Sequence, residues 1–315
     1  MFAEKHTQNE PILSVQDLTK IYGREYSFLN KKIGRKVVGA DLVTFNVIKG
    51  EIFGFLGPNG AGKTTTIRSI LGYLNIQSGS ISIFGKNHKS DALAIRKNIS
   101  YVPGDVSLYG NFTGNELIEF FGKFRPINKE FLAELKQNFR VDLTLKIKSL
   151  SKGNRQQVAL IAALAPKPDF LILDEPSIGL DPLMVKKFHT ILKGLKKQGI
   201  TIFLSSHDLS EVQQICDRVG IIKEGKMIVI EKVEDLQTKS LQLAVVDFGD
   251  NGKPSINELQ NLESVISVEQ INGSSFSVKL REDLNDFLKF LTSYKVKRLT
   301  IENSSLQDIF LQYYT

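Results

Sequence analysis

Apolar and polar residues alternate along the first 230 positions in a pattern typical of an α/β protein. Short apolar runs predict strands, and stretches with an apolar residue every three or four positions predict the helices between them. The runs that predict strands are ILSVQDL, VTFNVI, EIFGFLG, SISIFG, ISYVPG, FLILDEP, ITIFLSSH and RVGIIKEGKMIV. The pattern therefore predicts a sheet core with helices packed on it.

Several of the predicted helices begin at capping signals. Thr113 is followed three positions later by Glu116, which is the spacing of a capping box, and Asn128 is the expected N-cap of the next helix. Further helices are predicted in KTTTIRSILGYL and NRQQVALIAALA. Because the helices between Thr113 and Phe139 interrupt the alternation of strands, we expect a separate helical lobe over about residues 104–155.

The pattern changes after about residue 235. LQLAVVDF, VISVEQI, SFSVKL and KVKRLTI predict strands, and EDLNDFLKFLTS predicts an amphipathic helix. We therefore expect a large α/β domain over residues 1–235 and a small accessory α+β domain over residues 236–315. The small domain contains no polar constellation that indicates a site, so regulation, dimer contacts and stability alone remain open as its role.

Composition narrows the class of protein. Hydrophobic residues make up 42% of the chain and charged residues 24%, which is ordinary for a soluble globular protein. The polar start, MFAEKHTQNEP, predicts no signal peptide, and the longest apolar run, VALIAALA, is far shorter than the roughly 20 residues of a membrane span. The single cysteine, Cys216, excludes an internal disulfide and favours a reducing compartment.

The formal charge of +7 is unevenly distributed. Residues 1–230 carry 32 Lys+Arg against 21 Asp+Glu, and the remainder carries 9 against 13. A basic region suits nucleotides, anionic lipids or nucleic acid, and a solvated lysine-rich surface is the alternative. The basic segment REYSFLNKKIGRKV, residues 24–37, is either a solvated hairpin or a contact with lipid or a partner.

A glycine-rich segment, GPNGAGKTT, follows directly after the apolar run IFGFL and fits G-x-x-x-x-G-K-[ST]. Glycines let the backbone N–H groups wrap around phosphate oxygens, and the helix that follows adds its positive N-terminal end. Lys63 supplies a cation for the β and γ phosphates of ATP, and the Thr64 hydroxyl is a ligand for Mg²⁺. An ordinary strand-to-helix turn is the alternative. The residues predicted to bind ATP here are Gly57, Asn59, Gly60, Gly62, Lys63, Thr64 and Thr65.

The run FLILDEP predicts a buried strand with two carboxylates at its end. Asp174 is the candidate ligand of Mg²⁺, and Glu175 is the candidate catalytic residue that polarises a water for attack on the γ phosphate. Because adjacent residues on a strand point to opposite faces, the two acids must diverge at the strand end. The alternative is a strand capped by two solvated acids.

The motif LSKGNRQQ, followed by FLILDEPSIGLDP and then FLSSHD, resembles the ATP-binding cassette family of transporter ATPases. The order of motifs is that of the family, and the resemblance covers about residues 11–230. It implies a P-loop NTPase cassette with a mixed sheet core and a helical lobe. It also implies two cassettes packed head to tail, with two ATP molecules held between them.

The resemblance also implies roles for single residues. His207 is expected to reach the γ phosphate and to help hold Glu175 and the attacking water, and Tyr22 is expected to stack on adenine. A structural histidine and a half-buried surface tyrosine are the alternatives. Three further residues are expected to act on the ATP of the opposite subunit: Ser151, Gly153 and Asp181.

Two departures from the family pattern concern the site. The signature reads Ser151, Lys152, Gly153 and Asn154, where the family usually has two glycines and a glutamine. Gly153 is retained, so a close approach of the backbone to phosphate is still expected. The glutamine usually found after Y-x-P is absent, and Asp105, next to the glycine at that position, is the candidate substitute as a metal ligand.

The segments VPGDVSLYGNFTGNELIEFF and SSLQDIFLQYY resemble the branch that exports drugs, antibiotics, lipids or polysaccharides in bacteria. This branch implies an ATPase, with ATP and Mg²⁺, that powers an exporter through closure of a homodimer or heterodimer. It also implies separate membrane permease subunits and a peripheral location on the cytoplasmic side of the cell membrane.

Two other functions compete with a transporter subunit. A soluble cassette acting on nucleic acid or ribosomes suits the basic charge, but such relatives usually have two cassettes in one chain or a long coiled-coil insertion. This chain has one set of motifs and no sustained heptads, so we expect no nucleic acid partner. The second alternative is a phosphate-transferring kinase with the same glycine-rich loop. We do not favour it, because a kinase would not require the motif LSKGN.

Overall fold

The computed structural model describes residues 10–23, 26–28, 31–33, 36–238, 242–249, 252–281 and 283–303. The chain divides into two compact units, Met1–Val233 and Glu234–Thr315, here called the first unit and the second unit. The domain bounds expected from the sequence, and the bounds of the helical lobe, remain a proposal about which parts fold independently. No helix in the described ranges is long and apolar enough to cross a membrane.

The first unit contains twelve strands and seven α-helices in its described residues. The strands are β1 (Pro11–Tyr22), β2 (Tyr26–Phe28), β3 (Lys31–Ile33), β4 (Val37–Ile48), β5 (Ile52–Leu56), β6 (Ser78–Ile83), β7 (Lys86–Asn87), β8 (Ile99–Val102), β9 (Phe170–Asp174), β10 (Thr201–Ser206), β11 (Arg218–Lys223) and β12 (Lys226–Lys232). The helices are α1 (Lys63–Ile70), α2 (Ala92–Arg96), α3 (Gly114–Gly122), α4 (Lys129–Asn138), α5 (Lys152–Leu164), α6 (Pro182–Lys197) and α7 (Leu209–Ile215), with a 3₁₀ turn at Ile147–Ser149.

The predicted strands of this unit are confirmed with one difference. RVGIIKEGKMIV forms two strands, β11 and β12, which pair antiparallel. Glu224 and Gly225 connect them with φ angles of 51° and 81°. Two residues with positive φ are typical of the tight turn that matches the twist of a hairpin, and glycine adopts this conformation without strain. The prediction of one strand was therefore wrong, because the polar segment KEGK inside the run forms a turn.

Two sheets form the frame of the first unit. One is antiparallel, with strand order β4-β1-β6-β7, and the other has the order β12-β11-β5-β10-β9-β8. In the second sheet β11, β5, β10, β9 and β8 are parallel, and β12 joins the edge antiparallel. The prediction of a mixed sheet is therefore confirmed.

The register of the parallel strands decides where the site forms. Leu56 at the end of β5 pairs with Ser206 at the end of β10, and Ser205 pairs with Asp174 at the end of β9. Because the carboxyl ends of parallel strands meet at one edge of the sheet, the loops that follow these three strands start side by side.

A cluster of stacked phenylalanines joins the two sheets. Phe45 belongs to β4, and Phe53, Phe55 and Phe203 belong to β5 and β10. The ring centroid of Phe45 lies 5.6, 5.3 and 5.7 Å from the ring centroids of Phe53, Phe55 and Phe203, respectively. All four side chains are buried, and complete burial of one such ring contributes about 1.5–3 kcal/mol. The strand ends that form the site therefore extend from a rigid core.

The helices between β8 and β9 follow their capping signals. Thr113 accepts a hydrogen bond from the Glu116 amide while Glu116 accepts one from the Thr113 amide, which confirms the predicted capping box. Asn128 caps α4 as predicted. After α3, the Arg125 guanidinium donates to Ser100 Oγ at 3.0 Å and to the Ile99 carbonyl at 2.9 Å. These bonds attach this helical region to the start of β8.

The second unit has its own sheet and core. Its described elements are β13 (Gln242–Asp247), α9 (Ile256–Gln260), β14 (Val265–Gln270), β15 (Ser275–Leu280), α10 (Asn285–Leu291) and β16 (Arg298–Asn303), and α8 (Val233–Thr238) precedes them. The sheet order is β14-β15-β13-β16, with every neighbouring pair antiparallel. This βαββαβ order is the split βαβ arrangement, and it confirms the prediction of a small α+β fold.

Two segments singled out in the sequence lie partly or wholly outside the described residues. Within the basic segment 24–37, the backbones of β2 and β3 pair antiparallel, so a hairpin forms there. Whether solvent, lipid or a partner surrounds it stays a prediction. The closing SSLQDIFLQYY lies outside the described residues.

Candidate functional site

The glycine-rich segment forms a tight loop between β5 and α1. Gly62 adopts φ = 109°, in the region that favours glycine. A Cβ atom at this position would lie 2.3 Å from the Gly39 carbonyl oxygen. The loop therefore requires glycine at position 62 for two reasons, its backbone angle and its close approach to a neighbouring strand.

Lys63 is the first residue of α1, and its side chain is directed back into the loop. Its Nζ donates to the Gly57 carbonyl at 2.6 Å and to the Pro58 carbonyl at 3.1 Å. It also lies 3.0 Å from Glu175 Oε1. The residue is only 5% exposed, so its charge is held by these oxygens rather than by water.

A cleft of about 240 Å³ opens between this loop and the start of β4. Its lining residues are Tyr22, Val37, Val38, Gly39, Asn59, Gly60, Gly62, Lys63, Thr64, Thr65 and Glu175. Every residue predicted from the sequence to bind ATP in this chain lines it, except Gly57, whose carbonyl instead accepts a hydrogen bond from Lys63. We call this space the glycine-loop cleft.

One wall of the cleft was missed in the sequence. Val37 and Val38 are 49% and 44% exposed, although they are apolar, and Gly39 follows them. A Cβ atom on Gly39 would lie 2.7 Å from the Tyr22 ring and from Thr65 Cγ2, so glycine lets Tyr22 approach α1. The Tyr22 hydroxyl lies 3.2 Å from Thr65 Oγ1. The signal in the sequence is a glycine inside a strand, which often marks a close approach.

Glu175 sits directly after β9 in an unusual backbone conformation. Its φ of 51° lies in the left-handed region, which is disfavoured for glutamate and must be held by the surroundings. Its amide donates to the Ser205 carbonyl and to Ser205 Oγ, both at 3.1 Å. This kink separates the directions of Asp174 and Glu175, which is the divergence that two neighbouring acids on a strand require.

The Glu175 carboxylate lies between two cationic or polar partners. Its Oε1 faces Lys63 Nζ at 3.0 Å, and its Oε2 lies 2.7 Å from His207 Nδ1. The Glu175 side chain is 12% exposed, whereas that of His207 is 48% exposed. The structure thus brings together three of the predicted residues, which come from the loops after β5, β9 and β10.

Asp174 is buried behind Glu175, with 1% of its surface exposed. Its Oδ1 accepts a hydrogen bond from Ser205 Oγ at 2.6 Å. Burial raises the pKa of the nearby Tyr101 phenol to about 12, and the negative charge of Asp174 adds to this shift. Tyr101 therefore stays protonated beside the carboxylate.

The oxygen donors predicted for Mg²⁺ are Thr64, which lines the glycine-loop cleft, and the buried Asp174, which ends β9 and does not line the cleft. The ion usually takes one or two protein oxygens and completes its shell with water and phosphate oxygens, so Thr64 and Asp174 are a sufficient pair. Within the described ranges, no three His, Cys, Asp or Glu side chains form a cluster that would hold a metal without phosphate. Asp105 is exposed and does not line the glycine-loop cleft, so its role as a ligand stays a prediction.

The residues predicted to act on the opposite subunit lie at helix starts away from the glycine-loop cleft. Ser151 caps α5 by accepting from the Asn154 amide at 3.2 Å, and Asp181 caps α6 by accepting from the Met184 amide at 2.9 Å. A Cβ atom on Gly153 would lie 2.3 Å from the Gly179 carbonyl oxygen. The start of α5 therefore packs against the loop that precedes α6.

Three polar residues near the site were missed in the sequence. Ser205 holds both Asp174 and the Glu175 amide, and Ser206 Oγ donates to Glu211 Oε2 at 2.6 Å. The signal that was available is the pair of serines at the end of an otherwise apolar strand. Their partners lie far away in the chain, so the sequence did not indicate them.

Comparisons with known proteins agree with this geometry. A family model described as ABC transporter matches residues 40–178. A second model, described as the C-terminal domain of DrrA1-3-like ATP-binding proteins, matches residues 230–314. The two models therefore cover the larger part of each unit.

Three curated relatives are similar over most of their length. An uncharacterized ABC transporter ATP-binding protein of Methanocaldococcus jannaschii is 34% identical over 308 residues, which cover 96% of this chain and 99% of the relative. The bacitracin transport ATP-binding protein BcrA of Bacillus licheniformis is 36% identical and covers 77% of this chain and 76% of the relative. The linearmycin resistance ATP-binding protein LnrL of Bacillus subtilis is 31% identical, with coverage of 90% and 95%.

Solved structures show the same fold. An ATP-binding subunit of an ABC transporter superposes with a TM-score of 0.61 at 28% identity, over 72% of this chain and 92% of that chain. A dimeric ATP-binding cassette in a post-hydrolysis state, bound to ADP and Pi, superposes with a TM-score of 0.59 at 23% identity, over 70% and 98%. The predicted cassette fold is confirmed.

Proposed function

The chain belongs to the ABC transporter family as an ATP-binding subunit with ATPase activity, and we propose that it powers a membrane exporter through closure of a head-to-tail dimer. The observation that carries this proposal is the position of the Glu175 carboxylate between Lys63 and His207. Lys63 is the cation for phosphate, Glu175 is the base and His207 is a second polar group, and all three lie at one edge of the sheet.

Binding of ATP changes the partners of Lys63 in this proposal. A γ phosphate entering the glycine-loop cleft competes with Glu175 for the Lys63 ammonium, because both are oxyanions. Lys63 keeps its bonds to the loop carbonyls and turns its remaining donor to the phosphate. The Glu175 carboxylate is then free to bind a water.

Hydrolysis follows from the freed carboxylate. The water oxygen forms a bond to the γ phosphorus, the bond from phosphorus to the bridging oxygen of ADP breaks, and Glu175 accepts a proton from the water. His207 orients Glu175 through Nδ1, which leaves Nε2 as the ring atom for the γ phosphate. Thr64 and Asp174 would hold Mg²⁺, which supplies charge neutralisation for the phosphates when it is bound.

The proposal of a dimer is supported by the residues that match family motifs for ATP contact but do not line the glycine-loop cleft. Ser151, Gly153 and Asp181 do not line it, yet they match the family motifs that contact ATP. We propose that they meet the γ phosphate bound by a second cassette, so that neither subunit completes the site alone. A homodimer and a heterodimer both fit this arrangement.

The exporter is supported by two relatives, which are a bacitracin transport protein and a linearmycin resistance protein. We propose that this chain docks on separate permease subunits from the cytoplasmic side of the membrane, as a peripheral protein. The transported compound contacts the permease in this arrangement, so its identity does not depend on this chain.

The catalytic part of the proposal is tested with Glu175→Gln. This change removes the base but keeps the size of the side chain, so ATP turnover should fall by at least about a hundredfold while Mg·ATP binding persists. Phosphate release and nucleotide binding measure the two effects. Glu269→Gln, at an exposed position on β14, is the matched control and should change neither. Unchanged turnover in Glu175→Gln contradicts the mechanism.

Dimer closure is tested in the same variant. Because hydrolysis is blocked, Mg·ATP should hold two chains together, and size-exclusion chromatography with and without ATP should show a dimer only with ATP. A chain that stays monomeric with bound Mg·ATP contradicts closure. The membrane partner is tested by purification of the native chain in mild detergent, and recovery of no integral membrane protein contradicts the exporter.

A further inference from the structure

A buried carboxylate behind the catalytic loops has no role in the mechanism above. Glu211 lies on α7 and is only 5% exposed. Its Oε2 accepts a hydrogen bond from Ser206 Oγ at 2.6 Å, and its Oε1 accepts one from Ser177 Oγ. His189 Nε2, on α6, lies 3.3 Å from the same Oε1. Both carboxylate oxygens therefore have partners.

The partners of Glu211 come from three different segments. Ser177 follows β9, Ser206 ends β10, and His189 belongs to α6. A buried carboxylate is unfavourable unless hydrogen bonds compensate for the lost water. Conformations that keep these three donors within hydrogen-bonding distance of Glu211 are therefore favoured. One side chain thus connects the two loops that carry the catalytic residues.

On one side, the connection reaches His207. Ser206 directly precedes His207, and its Oγ accepts a hydrogen bond from the Asp208 amide at 3.0 Å. The hydrogen bonds from Asp208 through Ser206 to Glu211 therefore bracket His207 from both of its chain neighbours. The His207 side chain itself is 48% exposed, so packing alone does not orient it.

On the other side, the connection reaches Glu175. Ser177 lies two positions after Glu175, and the Ile178 amide donates to the Glu175 carbonyl at 3.3 Å. Glu175 has the disfavoured φ of 51°, which persists only if the segments around it are held. The hydrogen bond from Ser177 to Glu211 restrains the segment that follows Glu175.

Little packing substitutes for these bonds. A cavity of about 540 Å³ lies beside the two loops, and it is lined by Glu175, Ser177, His207 and Glu211 among others. Because open space adjoins both loops on this side, the hydrogen bonds of Glu211 add to the pairing of β9 with β10 in fixing their separation.

We propose that Glu211 is a positioning residue for ATP hydrolysis, which sets the distance between the Glu175 carboxylate and His207 by holding Ser177 and Ser206. This inference rests on the proposed roles of Glu175 and His207. Glu211 does not contact the substrate in this arrangement. It acts through the two serines, so its removal alters the catalytic rate and not the affinity for Mg·ATP.

The kinetic test compares Glu211→Ala with Glu211→Gln. The alanine variant leaves both serines without their acceptor, and displacement of catalytic groups by about 1 Å is expected to lower kcat by roughly 10–100-fold. KM for Mg·ATP should stay within about twofold, because the partners of Glu211 are Ser177, His189 and Ser206 and none of them belongs to the glycine-rich loop. Glutamine retains an oxygen that accepts from a serine, so Glu211→Gln should recover most of kcat.

Val212→Ala is the matched control for loss of stability. Val212 is the next residue on α7, is 1% exposed, and contacts strand β5 beside Gly54 without joining the hydrogen bonds of Glu211. Its truncation should lower the melting temperature but leave kcat unchanged. An equal loss of kcat in Val212→Ala and Glu211→Ala at equal loss of stability overturns the proposal.

A second measurement does not depend on ATPase activity. Hydrogen exchange in the ATP-free chain should be faster for the amides of residues 177–180 in Glu211→Ala and in Ser177→Ala than in Val212→Ala, since only the first two variants release this loop. Unchanged exchange there overturns the proposal even if the alanine variant is poorly active. A wild-type chain without ATPase activity contradicts the proposed function, whereas normal kcat in Glu211→Ala beside an inactive Glu175→Gln contradicts only this inference.

Discussion

The two units use the same kind of packing but differ in what lies at the ends of their strands. In the first unit, β9 ends in a buried aspartate and is followed by a glutamate with φ = 51°, and a buried lysine begins the helix after β5. In the second unit, the described residues contain no non-glycine residue with positive φ and no buried charged side chain. Its core consists of apolar side chains such as Phe276 and Phe287.

This difference shows which unit contains the disfavoured backbone angles and the buried charges. Disfavoured backbone angles and buried charges lower stability, so they persist where the surroundings hold them, often at functional sites. The described part of the second unit has caps and a packed core, which stabilise a fold without indicating chemistry. We therefore infer that the nucleotide chemistry belongs to the first unit, and the predictions below probe this division.

The largest effect on nucleotide binding is expected for Gly62→Ala. The added Cβ atom meets the Gly39 carbonyl oxygen at 2.3 Å, and alanine is strained at φ = 109°. A strain of about 1–3 kcal/mol in the bound loop should weaken Mg·ATP binding by roughly tenfold or more. Titration calorimetry measures this. Gly194→Ala, where a Cβ atom has nothing within 4 Å, should leave binding unchanged. Equal binding in both variants contradicts the loop geometry.

A second large effect is expected for Phe287→Ala, but on stability alone. Phe287 is completely buried in the core of the second unit, and its truncation should lower the stability of that unit by about 3–5 kcal/mol. Hydrogen exchange of β13 to β16 should report the loss. The neighbouring Leu288 is 41% exposed, so Leu288→Ala is a mild control. If the ATPase rate of the isolated chain falls together with the stability, the division between the units does not hold.

An intermediate effect is expected at the two capping boxes, one in each unit. Thr113 caps α3 and Ser255 caps α9 with the same pair of reciprocal hydrogen bonds. Replacement of either residue by alanine should cost about 1 kcal/mol, because one helix amide loses its partner. Faster hydrogen exchange should appear in α3 for Thr113→Ala and in α9 for Ser255→Ala. Loss of protection in both helices from one change would argue against independent units.

The smallest effects concern pH. A hydrogen bond from the Gly249 amide, together with one from Ser274, lowers the pKa of Asp247 in the second unit. Burial raises the pKa of Glu51 in the first unit. A carboxyl group whose pKa is lower in the folded protein than in the unfolded chain stabilises the fold at pH values above the unfolded pKa, and this stabilisation is lost as the pH falls. A carboxyl group whose pKa is raised in the folded protein stabilises the fold at low pH, and this stabilisation is lost as the pH rises.

The two groups should therefore respond in opposite directions. Relative to the unchanged chain, Asp247→Asn should become less stable as the pH rises towards 3.8, with a constant difference above that value, and Glu51→Gln should become more stable as the pH rises above 4.5. Thermal unfolding of each variant across this range measures the difference. The effect at Asp247 should be small, because solvent screens a partly exposed carboxylate. Parallel slopes for the two variants would show that these groups do not differ as described.

Much of the site could be predicted from the sequence because its signals are local. The glycine loop, the acids that end β9 and the caps at Thr113 and Asn128 each depend on neighbouring residues, and the structure forms each of them. The turn at Glu224 was missed although its signal, the polar segment KEGK with its glycine, is equally local. The ATPase family also followed from motif order, and the comparisons confirm it.

Contacts between distant residues were decided only by the tertiary structure. The sequence determined which residue types stand at each strand end, but the order β5-β10-β9 and its register brought Lys63, Glu175 and His207 within hydrogen-bonding distance. The wall at Val37 and the hydrogen bonds of Glu211 arose in the same way. The physical reason is that backbone pairing between strands sets which loops become neighbours, and this pairing leaves no periodic signal in the residues of the loops themselves.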